Sequence, residues 1–400
     1  MGDTVQRNIT VLTAAQALGG SSAPIVMSLG GLVGQQLSEN PAWVTLPVSL
    51  FGLGLAIGTL PAAIVMRSWG RRGGYIFGAF FGLAAGLIAA LGIFVASFLL
   101  FCFGCFTAGL YGAYVQSYRF AAADAAEGAL KARAISWVMV GGLIAAVIGP
   151  QLVIWTRDFF PGTPYIGSFL SQAALPLLSI PILLMLRTPK SASQSEAESS
   201  GRSLVQILVM PRYMLAVASG VVSYGLMAFV MTAAPIAMVN TGHSIDSAAL
   251  GIQWHLLAMF APSFVTGRLM TRFGKERVTA AGMLLIAVSA VVALAGLDLI
   301  NFWGALAVMG VGWNFSFIGA TAMVTDCHTP GERAKAQGAN DFMVFGTTAA
   351  VSFLSGSILH SSGWAAINWL LFPPVALILV PLLWQAVSKP QTDNAMSPPF

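Results

Sequence analysis

Stretches of about twenty apolar residues, separated by short polar breaks, recur along the chain from Asn8 to Gln385. A helix rises ~1.5 Å per residue, so each stretch is long enough to cross the ~30 Å hydrocarbon core of a bilayer once. The predicted spans cover 8–35, 44–66, 74–95, 97–122, 134–156 and 165–186, then 213–239, 247–270, 277–298, 301–325, 338–359 and 364–386. They are numbered 1 to 12 below. Strand alternation is absent, which argues against a lipid-spanning β-barrel. The only long polar segment is Thr188 to Ser203 (TPKSASQSEAESSGRS), whose Ser, Glu and Pro content suits a flexible linker. The pattern therefore predicts an all-α membrane protein of twelve transmembrane helices. Residues 1–187 would form one six-helix bundle, 188–212 a cytoplasmic linker, and 213–400 a second six-helix bundle.

Composition sharpens this. Only 8% of residues are charged and 57% are hydrophobic, whereas a water-soluble domain carries about a quarter charged residues. Most of the outer surface is expected to meet lipid. The net charge of +5 does not imply nucleic acid, because the basic residues collect in one set of loops. With the N-terminus inside, 17 of the 19 Lys and Arg fall on the cytoplasmic side, leaving Arg157 outside and Arg119 within a helix. The positive-inside rule thus places both termini in the cytoplasm of a multi-pass bacterial inner-membrane protein. The short polar start, MGDTVQRNIT, shows no cleavage site, so the first span is expected to stay. Cys102, Cys105 and Cys327 lie in or beside apolar helices and imply no disulfide framework. No Walker loop is present, so ATP hydrolysis is not expected and the chain does not read as an enzyme.

The two halves repeat. MRSWGRRGG follows span 2 and GRLMTRFGKER follows span 8; Gly70 and Gly274 lie 204 positions apart, as do Lys131 and Lys335. One offset relating two loop pairs indicates an internal duplication. Gly267, Leu269, Arg272, Gly274 and Lys275 match the G-x-L-x-x-R-x-G-[RK] loop of the major facilitator superfamily, and Gly141 with Gly149-Pro150 resembles its glycine-proline motif in span 5. The acidic slot of the loop departs from that pattern, being Arg67 in one half and Thr271 in the other. The resemblance implies two bundles rocking about a substrate site near mid-membrane.

Spans 7 and 8 carry the sharpest candidate chemistry. Met227 and Met231 are spaced i,i+4, as are His255 and Met259, so each pair shares a helix face. Counting ~1.5 Å per residue from the turn near Thr241 to Asp246, Met231 and His255 lie roughly 12–14 Å below the outer surface. Met227 and Met259 lie roughly 18–20 Å below it. Thioethers with one imidazole suit Cu(I) better than Zn, Mn or Mg. Against this, 17 methionines in 400 residues make one M-x-x-x-M pair expected by chance, and Met is a common core filler. An ionisable His deep in a span is rarer and faces a cavity or a partner.

The M-x-x-x-M and H-x-x-x-M pairs, in a chain of this length, resemble those of the CcoA-type copper importers. That resemblance implies a secondary transporter bringing copper into the cytoplasm through Met227, Met231, His255 and Met259. It further implies supply of cbb3-type cytochrome c oxidase assembly, cytoplasmic copper chaperones as partners, and copper as cargo with no permanently bound cofactor. The same branch contains riboflavin transporters. The alternative is therefore an importer of riboflavin or another small organic solute, using Tyr111, Tyr114, Gln116, Trp137, Trp313 and Asn314. Pro235 and Pro262 read as hinges or as ordinary membrane prolines. Cys102 with Cys105, Cys327 with His328, and Met238 with His243 are secondary metal candidates that packing also explains. Arg119, Asp326 and Asp341 lie near inner helix ends, where local ion pairs account for them; Asp341 is also a candidate for a coupling proton.

Overall fold

The computed structural model describes residues 3–124, 130–187 and 201–388, and among them it is helical throughout with no strand. Nine runs are long and apolar enough to cross a bilayer, and the bent pair Ile245–Phe260 and Ser263–Phe273 makes a tenth. Two of the runs, Pro41–Phe94 and Lys335–Gln385, are 54 and 51 residues long. At ~1.5 Å per residue each exceeds twice the hydrocarbon thickness, so each holds two spans. The breaks fall at Gly70 and Gly363. The count among the described residues is thus twelve, in the predicted order.

Spans 1, 4, 8 and 12 are interrupted, the last between Trp369 and Phe372. Span 1 consists of Asp3–Gly19 and Ser22–Leu37, and span 4 of Phe98–Gln116 followed by Tyr118–Asp124. Span 8 bends by 41° at Ala261–Pro262. Proline lacks the N–H that would continue the ladder. The side chain of Asn314 closes the gap: its Nδ2 donates to the Met259 carbonyl (2.7 Å) and to Ser263 Oγ (2.6 Å), while its Oδ1 accepts from Thr266 Oγ1 at 2.5 Å. Pro235 lies inside the continuous helix Pro211–Asn240, span 7, without breaking it. The predicted linker falls outside the described residues over 188–200. Its remainder forms the short helix Leu204–Leu208, closed by a capping box between Ser203 and Gln206. There Arg202 grips the buried Glu332 through Nε (2.9 Å) and Nη2 (2.7 Å), and the guanidinium holds that carboxyl well below the usual carboxylate range.

Small residues set the helix crossings. A Cβ at Gly141 would lie 2.3 Å from the Thr13 carbonyl, and one at Gly149 2.6 Å from Pro24. The span 5 glycines therefore let Leu130–Thr156 lie directly on span 1, as backbone approach in membranes requires. At the loops, Gly70 (φ 73°) and Gly274 (φ 89°) adopt the same left-handed turn 204 positions apart, a conformation that costs a residue with a Cβ.

Polar contacts between spans 1–6 and spans 7–12 gather at one end. Arg157 pairs with Asp246 at 2.7 Å, Gln151 donates to Gln253 at 3.0 Å, and Gln35 donates to Asn240 at 3.2 Å. Thr45 Oγ1 reaches the Phe353 carbonyl (3.1 Å) and Ser357 Oγ the Ala42 carbonyl (3.3 Å). A buried apolar cluster crosses the seam there, joining Ile25 and Leu29 to Ile236 and Ala249. At the other end Trp137 and Phe264 border a hollow of about 250 Å³ between spans 5 and 8. The molecule is closed at the end bearing Asn40 and Thr241, and open at the end bearing Trp137 and Phe264.

Candidate functional site

Four rings from three spans of the second half form one wall. Trp313 and Phe317 sit one turn apart on Leu299–Thr325, span 10, and stack with centroids 5.0 Å apart and planes 20° apart. Tyr224 on span 7 meets them edge-on at 5.5 and 5.1 Å, and meets Phe345 of span 11 at 5.5 Å. Phe345 also packs against the cluster of Leu55, Ala62, Ala113 and Tyr114, so the wall reaches the first half. The indole Nε1 of Trp313 is buried and has no partner among the described residues. A buried donor left unpaired is costly in a protein interior. The open end leads to two charges, Arg119 and Asp341, both exposed. Such a wall can hold a flat, polycyclic solute through stacking while nearby polar groups fix its edge.

The predicted metal residues share a core cluster with the wall: Met227, Met231 and Met259 are buried with Phe302, Leu306, Met309 and Trp313, and Tyr224 and Phe317 pack against that cluster. His255 is also buried; its Nδ1 is 2.7 Å from the Leu306 carbonyl of span 10 and acts as donor there, leaving Nε2 unpartnered among the described residues. A Cβ at Gly310 would lie 2.5 Å from the His255 carbonyl. The imidazole is therefore enclosed where the backbones of spans 8 and 10 touch. Cys102 and Cys105 are buried in packing, and Cys327 Sγ donates to the Met323 carbonyl at 3.3 Å. His243 Nε2 bonds the Leu297 carbonyl at 2.8 Å, and His328 Nδ1 lies 3.1 Å from the Thr329 carbonyl. Among the described residues no three His, Cys, Asp or Glu side chains cluster as a metal site.

Of the organic-solute candidates, Trp313 belongs to the wall. Asn314 does not, since its amide is used by the span 8 bend. Tyr111 is buried where a Cβ on Gly19 would lie 2.5 Å from its hydroxyl, and Tyr114 is wedged against Gly78 and Phe81. Trp137 borders the hollow, and Gln116 is half-buried. Tyr224, Phe317 and Phe345 escaped the sequence reading. The signals were there, as the i,i+4 spacing of Trp313 with Phe317 and of Asp341 with Phe345, but Phe is too common in membrane spans to single out.

The profile of the Major Facilitator Superfamily matches residues 9–232 and 215–397. The chain belongs to that superfamily. It is 69% identical over 385 residues to "Riboflavin transporter RfnT" of Brucella anthropi, covering 96% of this chain and 97% of that protein. It is 31% identical to "Uncharacterized MFS-type transporter YdeG" of Bacillus subtilis, over 94% of this chain and 91% of that one. Among solved structures, a point mutant of the nucleoside transporter NupG superposes with a TM-score of 0.75 at 15% identity, over 95% of this chain and 99% of that chain. That likeness shows the fold. The superfamily, its multi-pass membrane architecture and its non-enzymatic character are thereby established for this chain. The expectation of copper as cargo and partner is overturned by the near full-length identity to a riboflavin transporter. The three thioethers fill core space as methionine commonly does, so their spacing by itself does not mark a metal site.

Proposed function

We propose that this protein imports riboflavin across the bacterial inner membrane, with both termini in the cytoplasm. The observation carrying the reading is the 69% identity, spread over 96% of the chain, to a riboflavin transporter. The stacked wall of Tyr224, Trp313, Phe317 and Phe345 supports it, because the isoalloxazine ring of riboflavin is flat, tricyclic and uncharged. Orientation rests on the basic residues, which favour the side of the termini. The Arg157–Asp246 end then faces the periplasm and is closed, while the site opens to the cytoplasm. Import proceeds by exchanging this state for one in which the periplasmic contacts part and the cytoplasmic ends of the bundles meet.

The test is uptake of labelled riboflavin by a riboflavin auxotroph expressing the chain, with growth on limiting riboflavin as a second readout. Uptake no faster than in cells carrying an empty vector overturns the proposal. Met231→Leu keeps the volume and removes the sulfur, a swap that costs under about 1.5 kcal/mol in cores. Riboflavin uptake by this variant is expected to stay within about twofold of the parent.

A further inference from the structure

Charged side chains inside a membrane span are costly, so those present face a cavity and mark function. Arg119 on span 4 and Asp341 on span 11 belong to opposite halves, are both exposed to the opening, and lie within electrostatic reach of each other. Arg119 also lies within reach of Tyr224. Asp341 is one helical turn from Phe345, whose ring is 5.5 Å from that of Tyr224, so the carboxylate flanks the aromatic wall. The two charges are not joined as an ion pair among the described residues. Asp341 Oδ1 accepts from Asn340 Nδ2 at 3.0 Å, its other oxygen makes no hydrogen bond there, and neither does the Arg119 guanidinium, which rests over the Phe120 ring at 4.8 Å. The gap thus has donors on one side, an acceptor on the other, and no net charge.

We propose that Arg119 and Asp341 read the cyclic imide edge of the flavin ring, the carboxylate accepting its N3–H and the guanidinium donating to an adjacent carbonyl. This rests on the riboflavin reading. The imide edge presents acceptor, donor and acceptor in one plane, which one cation and one anion on facing helices can satisfy together. A guanidinium is a rigid planar fork of donors, suited to a carbonyl edge. A neutral pair also suits a neutral solute, since either charge alone would be left unpaired in the bound state.

The experiment measures flavin fluorescence quenching on the purified full chain in nanodiscs, with riboflavin, 3-methylriboflavin and lumiflavin as probes. The parent is expected to bind 3-methylriboflavin about ten- to a hundredfold more weakly than riboflavin, the range for a hydrogen bond to a charged group. Lumiflavin, which lacks the ribityl chain but keeps the imide, is expected to stay within about tenfold of riboflavin. Asp341→Ala should weaken riboflavin and leave 3-methylriboflavin nearly unchanged, erasing the discrimination, while Asp341→Asn should keep part of it through the amide oxygen. Equal binding of riboflavin and 3-methylriboflavin by the parent overturns this inference while the transport reading stands. Strong loss with lumiflavin alone assigns the charges to the polyol and also overturns it. No binding of riboflavin itself removes both readings. The comparison of ligands on the parent needs no variant to fold.

Discussion

The two halves of this protein share a scaffold, and the way one helix crossing differs between them bears on where the aromatic wall stands. Arg71 and Lys275 occupy equivalent loop positions, 204 apart; Arg71 pairs with Asp124 at the end of span 4, and Lys275 with Asp326 at the end of span 10 (2.6 Å). Each pair holds a loop to a helix within its own half, so neither latches the halves together. Equivalence fails where span 4 crosses span 2 and span 10 crosses span 8. In the first half, a Cβ at Gly109 would lie 2.1 Å from the Phe51 carbonyl and 2.8 Å from the Leu55 nitrogen. In the second half, the equivalent backbone atoms of His255 and Met259 are met by Gly310, at 2.5 and 3.0 Å. The close approach has moved by three residues. The position equivalent to Gly109 is then free to carry Trp313, which stands in the aromatic wall. A duplicated fold has kept the glycine turns at Gly70 and Gly274 and the loop clamps while exchanging a packing glycine for a ring.

The harshest way to test this contrast is at the glycine itself. Gly109→Ala drives a methyl into backbone that has no soft side chain to yield, and overpacking of this kind costs about 3 kcal/mol. A large loss of monodisperse protein in detergent is expected, with Gly142→Ala, whose Cβ meets nothing within 4 Å, as the tolerated control. If Gly109→Ala melts like the parent, the crossing does not depend on that contact.

Next in size is the ring. Trp313→Leu should weaken riboflavin binding about tenfold or more, since stacking on an aromatic contributes ~1–3 kcal/mol per ring. Phe81→Leu, in the first-half cluster with Phe77 and Tyr114, should lower the melting temperature and leave affinity unchanged. Equal losses of affinity in both variants would show that the two halves contribute aromatics alike.

The smallest effect is expected at the closed end. Asp246→Asn removes the ion pair across the seam, while Arg157 keeps its contact with Asp158 (2.8 Å); the Asp246 side chain is 41% exposed, so the pair contributes at most about 1 kcal/mol. A shift of up to about fivefold toward the outward-open state follows. It is measured as faster labelling from outside of Ala249→Cys, in a background without Cys102, Cys105 and Cys327. Slower labelling would mean that the ion pair does not hold this end shut.

The sequence by itself determined the number and order of the spans, the break between the halves, the 204-residue repeat and the superfamily. Lipid demands long apolar helices and biases basic residues to one side, and both constraints leave their mark residue by residue. It also identified Arg119, Asp341 and Trp313 as unusual, without relating them. Which helix faces turn inward was decided by the tertiary structure alone. In a soluble helix the buried stripe is apolar and the outer face polar, so periodicity reveals the inside. In a membrane both faces are apolar, and small residues and backbone approach choose the orientation. Met227, Met231, His255 and Met259, which share helix faces along the chain, lie buried in the packing of the second half, with His255 Nδ1 donating to the Leu306 carbonyl of span 10. Tyr224, Phe317 and Phe345 gain their meaning only when three spans bring the rings of Phe317 and Phe345 within 5.1 and 5.5 Å of that of Tyr224.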